Sequence, residues 1–97
     1  MPHYVAVVEE AGPDIAVGIW FPDLPGCLSA GDTVDEALRN AEEALALYAE
    51  SEREEGRTLP APRTLSELRK DPEAAKDIQD FMIALVALPT GIADAAE

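Results

Sequence analysis

The chain begins with a segment in which almost every position is apolar. Residues 3–9 (His-Tyr-Val-Ala-Val-Val-Glu) are rich in β-branched and aromatic residues and predict a β-strand. Apolar side chains on both of its faces favour a central place in a sheet. Residues 11–14 have turn chemistry, and residues 15–21 predict a second strand, so the two strands form a hairpin. Gly18, within the second strand, indicates a bulge or a close approach of another segment.

After the hairpin, the apolar spacing changes from strand-like to helical. Two prolines in residues 22–26 end the second strand, and residues 27–30 predict a short third strand. The capping box Thr33-Val34-Asp35-Glu36 then begins a helix, for which Gly56 offers a left-handed stop. Its apolar positions follow helical spacing and are Val34, Ala37, Leu38, Ala41, Ala44, Leu45 and Tyr48. Such a helix is expected to cover one face of the sheet.

The second half of the chain predicts short helices and a last strand. A second capping box, Thr64-Leu65-Ser66-Glu67, begins a short helix that continues to Lys70. Asp71 and Pro72 begin another helical turn, as N-cap and first helical residue. Residues 81–88 predict a buried strand, with a helix as the alternative because Met, Ala and Leu favour helices.

These elements predict an α+β fold with the order β-β-β-α-β. A small sheet of three to four strands carries one long helix packed across one face. Because the last strand follows a helical crossover, we expect it to lie parallel to the first strand and beside it. Residues 1–88 are expected to form one domain and residues 89–97 a flexible tail.

The charge narrows the classes of partner. Twenty Asp and Glu residues stand against seven Lys and Arg, which gives a formal net charge of −13. Nucleic acid and anionic membranes repel such a surface, whereas a basic protein is attracted to it. The alternative is that acidity only keeps the protein soluble. Small sheets also leave edges open, so we expect at least a homodimer, formed through the short third strand or the last strand.

The sequence offers little for catalysis or metal binding. His3 is the single histidine, and no second histidine or Ser–Asp arrangement accompanies it. Cys27 is the single cysteine, which excludes an internal disulfide, and no activating cation neighbours it in sequence. We therefore expect no catalytic residues, no metal and no cofactor. The N-terminus is unlike a signal peptide, and the longest apolar run is too short for a bilayer, so a cytoplasmic protein is expected.

Several stretches taken together resemble the HicB-like antitoxins. The resemblance lies in Tyr4–Glu9, in Phe21-Pro22-Asp23-Leu24-Pro25-Gly26-Cys27, in Ser29–Thr33, in Glu36-Ala37-Leu38, in Asn40–Leu45 and in Gly56–Pro62. It implies a fold like a reduced ribonuclease H domain, and a toxin–antitoxin pair. In that pair the antitoxin binds a small, basic, mRNA-cleaving HicA-type toxin and blocks its active or RNA-binding surface. An orphan interaction domain without a cognate toxin is the alternative.

The resemblance also raises the question of direct binding to nucleic acid. Many members of the family carry a C-terminal DNA-binding domain, but only nine residues follow Leu88 in this sequence. No direct binding of nucleic acid is therefore expected from this chain.

Charge and expected exposure select six candidate partner-binding residues. They are Trp20, Asp23, Leu24, Asp35, Glu42 and Glu43. For Trp20 the alternative is core packing. For Asp23 and Leu24 it is a purely architectural, proline-fixed loop. For the helix carboxylates it is an ordinary solvated surface.

Overall fold

The computed structural model describes residues 2–88, which form a four-stranded antiparallel sheet and three helices. The elements in chain order are β1 (His3–Glu9), β2 (Val17–Trp20), β3 (Leu28–Gly31), α1 (Val34–Glu54), α2 (Leu65–Leu68), α3 (Pro72–Asp80) and β4 (Met82–Ala87). The predicted α+β class and the long helix packed on the sheet are confirmed. The predicted tail, residues 89–97, lies outside the described residues.

The order of strands in the sheet is β3-β2-β1-β4, so β1 is central, as its two apolar faces predict. The hairpin of β1 and β2 is confirmed, with Val7 opposite Trp20 and Glu9 opposite Gly18. β2 begins later than predicted, and Ile15 before it is exposed. Gly18 marks no bulge, since it pairs in unbroken register with Glu9 and with Ala30. It marks no close contact either, since a Cβ there would meet nothing within 4 Å.

The predicted parallel pairing of the last strand with the first is wrong. β4 is antiparallel to β1, with His3 opposite Ala87 and Val8 opposite Met82. The prediction treated everything between β3 and β4 as one crossover. In the structure the segment after α1 lies at the end of the sheet where β1 begins, and the Tyr4 hydroxyl donates there to the Pro60 carbonyl at 2.6 Å. α2 and α3 then return along the opposite face, so β4 must run back against β1.

The first face of the sheet, called here the α1 face, carries the main core. Alternate residues of β1 and β2 pack against the inner side of α1, and the buried residues of that helix recur every fourth position at Ala37, Ala41, Leu45 and Ala49. One half of the predicted capping box at Thr33 is confirmed, since its hydroxyl accepts from the Glu36 amide at 3.1 Å. The other half is wrong, because the Glu36 carboxylate accepts from the Asp32 amide, at 3.5 Å, and not from that of Thr33. Small residues bring this helix close to the sheet. A Cβ on Gly31 would lie 2.5 Å from the backbone nitrogen of Ala37.

The second face, called here the α2–α3 face, carries a smaller core. Its buried cluster is Val5, Leu68, Ala74 and Ile78, with Leu65 and Ile83 packed beside it. The capping box of Thr64 with Glu67 is confirmed, and so are the Asp71 cap and Pro72 at the start of α3. These caps hold two short helices in place, because isolated helices of four and nine residues are unstable in water.

Candidate functional site

The outer side of α1 is the most distinctive exposed surface of the described chain. Because the helix buries one stripe at four-residue spacing, the residues on its opposite side point to solvent. Four of them lie along one line at spacings of four, three and four: Glu43, Leu47, Glu50 and Glu54, all exposed. We call this set the acidic helix surface. Leu47 lies in its middle and is 66% exposed.

The carboxylates of this surface are weakly compensated. Within α1, seven acidic residues stand against Arg39 and Arg53. Among residues 2–88, the ion pairs within 4.0 Å leave Glu43, Glu50 and Glu54 unpaired. An exposed leucine that lies in line with three unpaired carboxylates combines an apolar contact with a negative field, and this combination suits a basic protein surface.

Arg57, a cation that follows α1, is already engaged in an ion pair. Arg57 Nε donates to Glu52 Oε2 at 2.6 Å, on the flank of the helix. The hydrogen bond from Arg57 lowers the pKa of the Glu52 carboxyl, and the same bond raises the pKa of Arg57. This pair therefore fixes the chain after the left-handed Gly56 and does not neutralise the acidic helix surface.

The predicted helix carboxylates divide between two regions. Glu43 belongs to the acidic helix surface, and Glu42 is exposed on its flank. Asp35 is exposed in the first turn of α1. There it lines a shallow groove of about 290 Å³ together with Glu10 and Asp32, at the hairpin end of the sheet. The structure therefore brings Glu42 and Glu43 onto one helix side and leaves Asp35 at the end of that helix.

Trp20 lies on the α2–α3 face and is half-buried. Its indole Nε1 donates to Asp77 Oδ2 at 3.2 Å, and its ring meets the edge of Phe81 at a centroid distance of 5.3 Å. Core packing and surface exposure, the two alternatives for this residue, therefore both apply in part, because one part of the ring packs within the chain and the rest stays accessible.

The loop after β2 has an architectural role. Leu24 is 1% exposed in the main core, so the expectation that it is presented at the surface is wrong. The Asp23 side chain is only 6% exposed and accepts two hydrogen bonds from Arg63, from the backbone amide at 2.8 Å and from Nε at 2.7 Å. Arg63 also donates to Asp71 at 3.1 Å. Two prolines and the left-handed Gly26 hold the loop in the shape that makes these contacts.

Two residues that matter here were missed from the sequence. Leu47 falls outside the apolar stripe of α1, and that departure was the available signal for an exposed anchor. Arg63 carries no local signal, since its partners Asp23 and Asp71 lie 40 and 8 residues away in the chain. It ties the loop after β2 to the cap of α3 and so joins the two halves of the chain.

Two kinds of reactive group, a metal-binding cluster and an activated cysteine, are absent from the described residues. Among residues 2–88, no group of three or more His, Cys, Asp or Glu side chains is placed to hold a metal ion. Cys27 is buried, and burial raises its pKa to about 11, which disfavours the thiolate. In the same part of the chain no helix is long and apolar enough to cross a membrane.

One apolar cavity lies on the α2–α3 face, at the edge formed by β4. It has a volume of about 370 Å³ and lies between His3, Val5, Ile83, Leu85 and the segment from Pro62 to Leu65. α2 and α3 leave it uncovered because they pack over only part of this face. The cavity therefore lies where no helix covers the sheet, and the exposed Leu85 borders it.

Three known proteins have clear similarity to this chain. The Burkholderia pseudomallei antitoxin HicB has a crystal structure that superposes with a TM-score of 0.75 at 29% identity, over 95% of this chain and 67% of that chain. A chain of the HicA3 and HicB3 toxin-antitoxin complex superposes with a TM-score of 0.69 at 27% identity, over 91% of this chain and 99% of that chain. An uncharacterized 14.9 kDa protein of Haemophilus phage HP1, from the rep-hol intergenic region, is 34% identical over 83 residues.

The extent of these matches differs. The phage match covers 86% of this chain, which spans only 58% of the length of the phage protein. A family model described as the HicB_like antitoxin of bacterial toxin-antitoxin systems matches residues 4–94. Since that match runs through every described strand and helix, the chain belongs to the HicB-like antitoxin family.

Proposed function

We propose that this chain is an antitoxin that binds a small, basic, mRNA-cleaving toxin of the HicA type. In this proposal the acidic helix surface covers the toxin's active or RNA-binding surface. The observation that carries it is the exposed line of Glu43, Glu50 and Glu54 around Leu47. Membership of the family and similarity to a chain of a toxin–antitoxin complex support the same class of partner.

The proposed mechanism is competition for cations. A protein that binds RNA does so largely through Lys and Arg that neutralise phosphates. Glu43 and Glu50 lie about 10 Å apart along the rigid helix, and Glu50 and Glu54 about 6 Å, which are the rises over seven and four residues. These carboxylates offer the toxin's cations an alternative partner that cannot be cleaved. The net charge of −13 also speeds encounter with a basic protein. Leu47 adds an apolar contact that salt does not screen.

The remaining properties follow from this role. We propose that the chain acts without catalysis and in the cytoplasm, where the toxin's RNA substrate is found. Glu42 flanks the acidic helix surface, and Asp35 lies apart from it in the first turn of α1. Both are proposed to extend the negative field that attracts the toxin. We also propose that two or more copies associate, because within residues 2–88 both β3 and β4 lack an outer neighbouring strand.

The test is a binding titration against the product of a short, basic reading frame next to this gene. The triple variant Glu43→Gln, Glu50→Gln, Glu54→Gln should weaken binding by at least about tenfold, about 1.4 kcal/mol, and flatten the salt dependence. The matched control Glu9→Gln, Glu10→Gln, Glu73→Gln removes the same charge from exposed positions elsewhere and should weaken binding far less.

Three results would contradict the proposal. Equal weakening by both triple variants would mean that net charge alone attracts the toxin and that α1 is not the contact. A wild-type complex that does not respond to salt would exclude competition for RNA-binding cations. Lack of any basic neighbour, together with failure to rescue cells from HicA-type toxins, would favour the orphan interaction domain.

A further inference from the structure

One cation lies in line with the acidic helix surface. Arg39 on α1 is exposed and precedes Glu43 by four residues, so it lies on the same solvent-facing side of the helix. The helical rise places its Cα about 12 Å from that of Leu47 and about 22 Å from that of Glu54, measured along the axis. The outer side of α1 is therefore positive at one end of this line and negative along the rest.

The guanidinium of Arg39 has no carboxylate partner within the described chain. Asp35 and Glu43 lie one helical turn before and after it, but among residues 2–88 no ion pair within 4.0 Å includes Arg39. An arginine that precedes a glutamate by four residues is also in the weaker of the two orders for a helical ion pair. The charge of Arg39 is therefore available to a partner protein.

The acidic helix surface alone distinguishes poorly between two directions of docking. Its spacings of four, three and four residues read the same from either end, and Glu43 and Glu54 are the two ends. A toxin turned end to end therefore meets carboxylates at the same separation. Arg39 removes this equivalence, because α1 ends at Glu54 and has no residue four positions beyond it. Arg57, which follows that end, is held by Glu52.

We propose that Arg39 fixes the direction in which the toxin docks on α1, by pairing with a carboxylate of the toxin at one end of a basic contact surface. The inference rests on the proposed function, because it concerns the same surface and the same partner. In the opposite direction a cation of the toxin meets Arg39, and like charges brought together at an interface lower its affinity. The partner that fits is thus a basic patch with one acidic residue about 6 Å beyond the cation that meets Glu43, the rise from Arg39 to Glu43.

Overall charge predicts the opposite effect, so the two explanations can be separated. The chain has a net charge of −13, and replacing an exposed arginine by glutamate increases its attraction for a basic protein. If Arg39 is only a solvated residue, Arg39→Glu follows this rule. If Arg39 pairs with a toxin carboxylate, the same substitution places two carboxylates together and weakens the complex.

The test is a binding titration against the basic protein encoded next to this gene. Arg39→Glu should weaken binding by at least about tenfold, whereas Arg39→Lys keeps the charge and should retain most of the affinity. The matched control Arg53→Glu makes the same change of charge in the last turn of the same helix, beside the line, and should strengthen binding about twofold. Circular dichroism checks that all three variants keep the helix.

Substitutions in the toxin identify the other member of the pair. Each exposed Asp or Glu of the toxin is replaced in turn by Arg, and each product is titrated with the wild type and with Arg39→Glu. One of them should bind the wild type weakly and bind Arg39→Glu at least about tenfold more tightly than the unaltered toxin does, because the two charges have been exchanged.

The inference is wrong if Arg39→Glu binds the toxin as tightly as the wild type or more tightly, or if no exchange of charge in the toxin restores binding. In either case the proposed function still holds, provided that the triple Gln variant of Glu43, Glu50 and Glu54 weakens binding. If that triple variant binds like the wild type, or if the wild type does not bind the basic protein, the proposed function and this inference both fail.

Discussion

The two faces of the sheet are covered in different ways. On the α1 face, one helix of 21 residues with alanines on its inner side closes a continuous core from Tyr4 to Leu88. On the α2–α3 face, two short helices bury a cluster of four residues and leave a cavity of about 370 Å³. The comparison teaches that the α1 face carries most of the core, while the other face leaves part of its apolar surface uncovered.

The same comparison holds for charge. α1 carries its carboxylates on the side turned away from the sheet, so its inner side can be entirely apolar. On the other side of the sheet, partly exposed charged groups link segments of the chain, through the hydrogen bonds of Arg63 to Asp23 and Asp71. The α1 face is thus stabilised by apolar packing, and the α2–α3 face partly by polar links. Substitutions should distinguish these two contributions to the free energy of unfolding.

The largest expected effect comes from truncating a core leucine on each face. Leu45→Ala on the α1 face should lower the free energy of unfolding by about 3–5 kcal/mol, because a rigid core cannot close the cavity. Leu68→Ala is equally buried but belongs to the smaller cluster, which can collapse more easily, so about 2–3 kcal/mol is expected. Urea unfolding measures both. Equal losses would show that the two faces are equally well packed.

A smaller effect separates two glycines on neighbouring strands. Gly31→Ala pushes a methyl group against the backbone of α1, where Ala37 would lie 2.5 Å away, and should cost about 1–3 kcal/mol. Gly18→Ala points to the α2–α3 face, meets nothing within 4 Å, and should be neutral or slightly stabilising. Melting temperatures of the two variants, measured by thermal unfolding, test this difference. A neutral Gly31→Ala would mean that α1 can move away from the sheet at little cost.

The sequence predicted what depends on local spacing. The bounds of β1, the three helix caps at Thr33, Thr64 and Asp71, and the existence of a strand near residues 81–88 all follow from patterns within a few residues. The expected burial of that last strand is wrong, because β4 lies at the edge of the sheet and Leu85 is 65% exposed. The central position of β1 also followed, because a strand that is apolar on both faces needs a cover on each side.

What the sequence did not predict depends on distant contacts. The direction of β4 depends on how often the chain crosses the sheet, and this count is set by the docking of α2 and α3. The burial of Leu24 and the pairing of Asp23 with Arg63 join residues 40 positions apart. The exposed Leu47 could have been found, since the helical stripe excludes it, whereas the free edge of β4 required the register of the whole sheet.

The polar link on the α2–α3 side can be broken at its buried end. Asp23→Ala removes the acceptor of two hydrogen bonds and leaves the Arg63 amide without its partner, so a loss of about 1–2 kcal/mol is expected. Asp14→Ala, in the exposed hairpin turn, serves as the control and should cost less than about 0.5 kcal/mol. Urea unfolding compares them. Equal costs would show that the link orients the loop without stabilising it.

The smallest expected effect is a pH dependence at the other end of the same link. The hydrogen bond from Arg63, and after it that from the Glu73 amide, hold the pKa of Asp71 below its ordinary value of 3.8. A carboxyl with a lowered pKa in the folded chain binds fewer protons there than in the unfolded chain. Its contribution to stability is therefore complete above the ordinary pKa and is lost as the pH falls through the lowered value.

Asp71→Asn removes this titration and keeps the shape of the side chain. The variant should melt slightly below the wild type at neutral pH, and the gap should close as the pH falls below about 4, because only the wild type loses stability there. Melting curves between neutral and acidic pH measure the gap, with Asp80→Asn at the exposed end of α3 as the control. A gap that is constant with pH would show that Asp71 acts as a neutral cap and that its ionisation adds nothing. In that case the polar link would depend on Asp23 and Arg63 alone, and the α2–α3 face would hold without its second carboxylate.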